Sequence, residues 1–287
     1  MKAQAMTDGA RESTPRPLDA SDEARAVLRA IEAGQSLAVV TRIEGEWAGA
    51  RLMLDESGAH GSLGDAELDA AAVRSAMAAR AAPSHQPETL TLGSVVSARV
   101  LLEVHRPAPE LFVIGAGHIS VPLARIARIA GFRITVLDDR EDFADPARFP
   151  DDARVLRMEL DDPFARVRPD ARAFVVLVTR AHRHDFDCLR RLLEFDPAPR
   201  YIGMIGSRRR VRAAIGALLE GGVSRESIAR VRAPLGLGIG AETPEEIAVS
   251  VVAEMIAERH AALDRPDAGS PLSTREHILE RFFPIEP

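Results

Sequence analysis

The stretch from Leu111 to Arg140 constrains this 287-residue chain more than any other. It reads as a strand, a glycine turn, a helix, a second strand and an acid, in that order. Leu111-Phe-Val-Ile114 is the strand and Gly115-Ala-Gly117-His118-Ile-Ser120 the turn. Val121 to Ala130 has helical apolar spacing, and Phe132 to Leu137 alternates into a strand that ends at Asp138-Asp139. A dinucleotide-binding βαβ unit needs this sequence of elements. Gly115 permits the tight turn, Gly117 lets backbone N–H groups approach a pyrophosphate, and the helix N-terminus adds partial positive charge. Asp138 follows at the distance where an acid can accept hydrogen bonds from a ribose diol. The third glycine position is Ser120, small enough for the helix to pack on its strand. A doubly wound domain that keeps the turn without a nucleotide is the structural alternative.

Composition narrows the field. A net charge of −6 argues against a nucleic-acid footprint, and no apolar run approaches a membrane span. The N-terminus has no apolar stretch of the secretory kind, so a cytoplasmic location is expected. Lys2 is the only lysine, which excludes a Schiff-base or Walker-type lysine in the folded part. Cys188 is the only cysteine: no intrachain disulfide and no cysteine metal cluster can form. Its helical setting, Asp185 to Leu193, predicts a buried structural thiol.

The expected fold class is α/β, a Rossmann-like doubly wound parallel sheet with a smaller N-terminal α/β domain. Residues 1–21 read as a disordered tail and 22–105 as the small domain. Within the latter, helices are predicted at Asp22–Ala33 and Ala66–Arg80, and strands at Leu37–Ile43, Ala50–Leu54 and Val95–Val104. Residues 106–110 read as a linker and 111–262 as the Rossmann-like domain. There strands are predicted at 111–114, 133–137, 153–156, 173–178 and 200–205, and helices at 118–130, 184–194, 208–221 and 244–260. Residues 263–287 read as an extension with a short helix opened by a capping box at Ser273.

Three further stretches could carry chemistry. In Arg200 to Arg210 a strand runs through Gly206 and Ser207 into a helix that opens with Arg208, Arg209 and Arg210. Cations are unfavourable at a helix N-terminus, so they point either to an anionic ligand or to pairing with solvent, Asp138, Asp139 or Asp142. Gly236, Gly238 and Gly240 form a loop that allows close backbone approach, followed by the capping box Thr243-Pro-Glu-Glu246. Thr179 to Asp185 lies at the carboxyl end of a strand, where open α/β sheets bind ligands. His182, His184 and Asp185 are candidate metal ligands or proton-relay groups there, with His118 able to face them. Helix capping by Asp185 is the plainer reading.

Together these motifs resemble the XdhC/CoxI family, accessory proteins of xanthine dehydrogenase and related molybdenum hydroxylases. The resemblance rests on Gly115-Ala-Gly-His118 with Asp138-Asp-Arg140 and Phe149-Pro150, on Thr179 to Asp185, on Gly203-Met-Ile-Gly-Ser-Arg208 and on Pro234 to Glu246. It implies a chaperone that binds molybdenum cofactor (molybdopterin) as cargo, holds it during sulfuration with a cysteine desulfurase, and hands it to a molybdenum hydroxylase apo-enzyme. It establishes no redox reaction of the chain's own. A homodimer is compatible with it. In the N-terminal part, Gly61-Ser-Leu-Gly-Asp-Ala-Glu67 stands where the family has a Gly-Ser-Ile-Gly-Gly-Gly turn, often with cysteine, and Leu92-Gly-Ser94 where it has Cys-Gly-Gly. That departure implies a shortened or altered paralogue. The residues alone leave two other readings open: an NAD(P)-dependent oxidoreductase, or a nucleotide-sensing regulatory protein. Neither a Tyr/Lys nor a Cys/His catalytic set supports the oxidoreductase.

Overall fold

The computed structural model describes residues 18–82, 87–93, 97–159, 162–179 and 182–260, without the side chains of 182–184. The chain divides after Pro107 into two compact units. The first begins with α1 (Ala20–Glu32), whose N-terminus is capped by Asp19 accepting from the Ser21 N–H. The tail predicted to reach Ser21 therefore gives way to helix earlier, because Asp19 rather than a later residue supplies the cap.

Five strands follow in one antiparallel sheet: β1 (Leu37–Arg42), β2 (Arg51–Leu54), β3 (Ala59–Gly61), β4 (Glu88–Leu92) and β5 (Ala98–His105), in spatial order β3-β2-β1-β5-β4. Strand periodicity divides β1 between two faces. Ala38 and Val40 pack with Leu52, Leu102 and the buried stripe Leu68, Ala72 and Ala76 of α2 (Ala66–Ala81). Leu37 and Val39 pack with Met53 and Ala30 of α1. Trp47, in the β1–β2 turn, lies so close to Gly64 that a Cβ there would come within 2.4 Å of its ring.

The second unit is a six-stranded sheet in which every pairing is parallel: β6 (Glu110–Ile114), β7 (Arg133–Asp138), β8 (Arg154–Arg157), β9 (Phe174–Leu177), β10 (Tyr201–Met204) and β11 (Val231–Arg232). The order β11-β10-β9-β6-β7-β8 runs outward from β6 in one direction, then returns to its other side. Helices cover both faces, as a parallel sheet requires. Leu111, Val113, Val176 and Tyr201 meet α3 (Ser120–Ile129) and α7 (Pro244–His260). Phe112, Ile114, Val175 and Leu177 meet α4 (His182–Glu194), α5 (Arg208–Glu220) and α6 (Arg225–Ile228). Tyr201 stacks on Phe174 with ring centroids 5.6 Å apart. The four inner strands β6, β7, β9 and β10 are short, mostly apolar runs without clear alternation, because both their faces are buried.

Three strands escape the sequence reading. β3 and β11 have three and two residues, too few to show a period. β4 is a separate strand before the one predicted at Val95, which starts at Ala98 as β5. The helix predicted from Ser273 lies outside the described residues.

Cys188 is fully buried in the α4 layer, and its thiol is pushed up to about 12 by burial first and then by the nearby Asp185 and Asp187 charges. The native protein is therefore expected to resist thiol reagents at neutral pH and to react stoichiometrically once denatured. Rapid labelling of the native chain would show that the α4 layer opens readily.

Candidate functional site

Where the chain turns back past β6, the carboxyl ends of β6 and β9 adjoin and the loops after them diverge. Open α/β sheets bind ligands in that crevice. Gly115 leaves β6 with φ +102°, and a Cβ on it would lie 2.8 Å from the Val178 carbonyl oxygen. Any other residue would be strained and would press the two strand ends apart.

Three hydrogen bonds fix the turn. The Gly115 N–H donates to Leu137 O at 2.7 Å, the Ser120 hydroxyl to Gly115 O at 2.5 Å, and the Ala116 N–H to Asp138 Oδ2 at 2.7 Å. Ser120, at the third glycine position, is thus a tie as well as a small residue. Gly117 has no positive φ, and nothing lies within 4 Å of a Cβ placed on it. Beyond it α3 starts at Ile119 without a side-chain cap, whereas α1, α2 and α5 are capped by Asp19, Asp65 and Ser207. Among the described residues, the N–H groups of Gly117, His118 and Ile119 have no acceptor. Those donors and the α3 dipole leave room and charge for an anion.

Asp138 ends β7 almost completely buried. Besides Ala116, its carboxylate accepts from Arg140 three times: N and Nε to Oδ1 at 2.9 Å each, and Nη2 to Oδ2 at 2.8 Å. Burial opposes its ionisation, but the Arg140 side chain and the Ala116 and Arg140 N–H groups outweigh it and hold the carboxyl below the usual range. Arg140 in turn lies 3.4 Å above the Phe143 ring centroid.

On the other side of the crevice, Arg210 departs from the sequence expectation. It reaches back from α5 to Asp185, Nε to Oδ2 at 2.6 Å, and donates through Nη2 to Thr179 O at 2.9 Å and Thr179 Oγ1 at 2.7 Å. The Thr179 hydroxyl closes the ring on the other Asp185 oxygen. Asp138 was one predicted partner for the arginines, but Arg140 takes it; Asp185 takes Arg210 because β9, α4 and α5 converge there. Arg208 and Arg209 are exposed and make no ion pair among the described residues. Asp185 stands in the first turn of α4, which starts at His182. Ser207 caps α5 through the Arg210 N–H, and a Cβ on Gly206 would stand 3.1 Å from Arg210 Cδ.

The glycine loop divides in two. Gly236 has φ +92° and packs on α7, where a Cβ would meet Ser250 Oγ at 2.3 Å, while Gly238 and Gly240 (φ +77°) face open space. The Glu246 carboxylate accepts from the Glu242 and Thr243 N–H groups at 2.8 and 3.1 Å, and these bonds hold its pKa down. His118 is exposed beside Val121 and Arg125 on the outer side of α3. The side chains of His182 and His184 lie outside the described residues. Among the described residues no three His, Cys, Asp or Glu could hold a metal. No helix there is long and apolar enough to cross a membrane.

In the N-terminal turn, Gly61 and Gly64 keep positive φ. Asp65 and Ala66, in place of two glycines, start α2: the Asp65 carboxylate accepts from the Glu67 and Leu68 N–H groups at 2.9 and 3.0 Å.

The family model for the XdhC Rossmann domain matches residues 111–255, the span that carries this crevice. The chain belongs to the XdhC family. Within it, 166 residues are 38% identical to the uncharacterized protein YqeB of Escherichia coli K12, covering 57% of this chain and 30% of that protein. Over 153 residues the chain is 35% identical to a probable xanthine dehydrogenase subunit of Bacillus subtilis, covering 53% of this chain and 44% of the relative. The chain thus spans less than half the length of these curated relatives. A crystal structure of a xanthine dehydrogenase from Bacillus halodurans superposes with a TM-score of 0.65 at 25% identity, over 90% of this chain and 72% of that one.

The Asp138 clamp gives a pH-dependent test. A carboxyl whose pKa is lowered on folding stabilises the protein above its unfolded value of about 3.9, and that contribution fades as pH falls through the lower folded value. Asp138→Asn should lower stability at neutral pH by about 3–5 kcal/mol, by removing one partner of a buried pair. It should then lose less than the parent on acidification below about pH 4. Chemical denaturation at several pH values reads both; a variant as stable as the parent at pH 7 would mean that the clamp stabilises nothing.

Proposed function

We propose that the chain is an accessory protein of a xanthine dehydrogenase-type molybdenum hydroxylase, which binds molybdenum cofactor as cargo during sulfuration and insertion. One observation carries this reading beyond family membership: the uncapped start of α3, where three backbone donors stand over the open space at Gly117. The cofactor is a phosphorylated pterin, and a phosphate fits those donors as it fits other helix N-termini. Gly115, Ser120 and Asp138 hold the turn. Gly238 and Gly240, and the exposed Arg208, are further candidates for contact with the cargo.

The sole cysteine is buried with a raised thiol pKa, so a transferred sulfur is better supplied by a partner, such as a cysteine desulfurase, than carried on this chain. The hydroxylase apo-enzyme is the proposed recipient, and the names borne by the Bacillus relatives support that choice. The chain is proposed to transfer no hydride: among the described side chains no general acid or base is identified at the crevice to serve a nicotinamide.

Mass spectrometry and metal analysis of the protein purified from a host that makes molybdenum cofactor test this. We expect a pterin phosphate with molybdenum, lost in Gly117→Val, with stability changed by less than about 0.5 kcal/mol because the substitution meets open space. Co-expression should raise hydroxylase activity. A nicotinamide ligand with substrate-dependent turnover would replace the carrier with an oxidoreductase.

A further inference from the structure

Two features of the second unit remain unused. The first is that Asp138 has no capacity left. An ionised carboxylate offers about four acceptor sites, and Ala116 and Arg140 already supply four donors. A ribose diol at the end of β7 would have to break that clamp. Asp138 is therefore a positioning residue for the glycine turn, and the body of the ligand belongs elsewhere.

The second is a cavity of about 380 Å³ beside the turn, on the outer side of α3. That volume lies within the range of about 300–1,000 Å³ typical of small-molecule sites. Val121, Pro122 and Ile126 give it an apolar wall, and His118 joins it to the turn. Arg125 lines it, exposed and without an ion pair among the described residues. Arg148 lines it from the 3-10 turn Pro146–Arg148. It is fixed by donating through Nη1 to Phe143 O at 2.8 Å, with its guanidinium 5.0 Å from the Phe143 ring centroid. Glu245, in the first turn of α7, supplies the only carboxylate of the lining among the described residues.

An apolar wall with two guanidinium groups and one carboxylate matches a flat heterocycle that has an anionic substituent and a donor edge. In a 2-amino-4-oxo pyrimidine ring, adjacent N–H and NH2 groups can donate in parallel to one carboxylate, as a guanidinium does. We propose that this cavity takes an anionic heterocycle of the pterin class. Glu245 receives the ring N–H and amino donors, and Arg125 and Arg148 meet the anionic substituent. The proposal rests on the reading of the chain as a pterin-cofactor carrier and locates the ring within it.

Fluorescence titration of the full chain with pterin-6-carboxylate and with lumazine-6-carboxylate, which has an oxo group in place of the 2-amino group, tests it. The pterin should bind about tenfold tighter, the worth of one charge-assisted hydrogen bond. Glu245→Gln should reduce that preference to about threefold or less, and Arg125→Ala should weaken both probes by about tenfold. Both replaced side chains are exposed, and circular dichroism melts check that the variants remain folded. Equal binding of the two probes, indifference to Glu245→Gln, or no binding of either overturns the assignment. Molybdenum retained by the same preparations and lost in Gly117→Val would then leave the carrier reading standing. Probe binding without molybdenum retention would sink the carrier reading alone.

Discussion

The close approach of β6 and β9 governs the second unit. Parallel strands side by side leave little width between their carboxyl ends, and here the backbone of Gly115 fills it against Val178 and Thr179. Everything near the crevice follows from that contact. The chain can leave β6 only through positive φ, which sets where Ala116 points its N–H, and Asp138 accepts it. Ser120 then ties the start of α3 to Gly115, and the donors of Gly117 to Ile119 are left over.

Two buried acids flank the crevice, each bonded to an arginine, and they act alike. Asp138 joins β7 to the turn after β6, and Asp185 joins α4 to β9 and α5 through Thr179 and Arg210. Removing one partner of such a pair leaves a charge in a poor solvent, which costs more than the pair contributes over an apolar substitute. The pairs therefore act chiefly to hold geometry. Charge available to a ligand comes from residues outside them, Arg125, Arg208 and Arg209, and from uncapped backbone.

The sequence makes the architecture legible because the βαβ order, the turn glycines and the helical periods agree with one another from Leu111 to Arg259. Where it falls short, the cause is physical. β3, β4 and β11 are edge strands defined by their neighbours rather than by their own pattern. The arginines opening α5 are rightly read as locally unfavourable, but compensation for Arg210 comes from Asp185, 25 residues earlier, through a contact that no local rule contains. Asp138 has the position of a ribose acceptor, while Arg140, two residues on, determines how much of its carboxylate stays free. The cavity beside α3 joins residues from 118 to 245 and has no sequence signature.

Trp47 and Tyr201 are the only tryptophan and the only tyrosine in the chain, and they fall in different units. Trp47 packs over Gly64 at a surface turn of the first, while Tyr201 is stacked in the core of the second. Each unit thus has its own intrinsic chromophore. Indole emission excited at the red edge of the absorption band follows the N-terminal unit alone, and near-ultraviolet ellipticity of the phenol follows the Rossmann unit. The melting of the two halves can be told apart in the unlabelled protein.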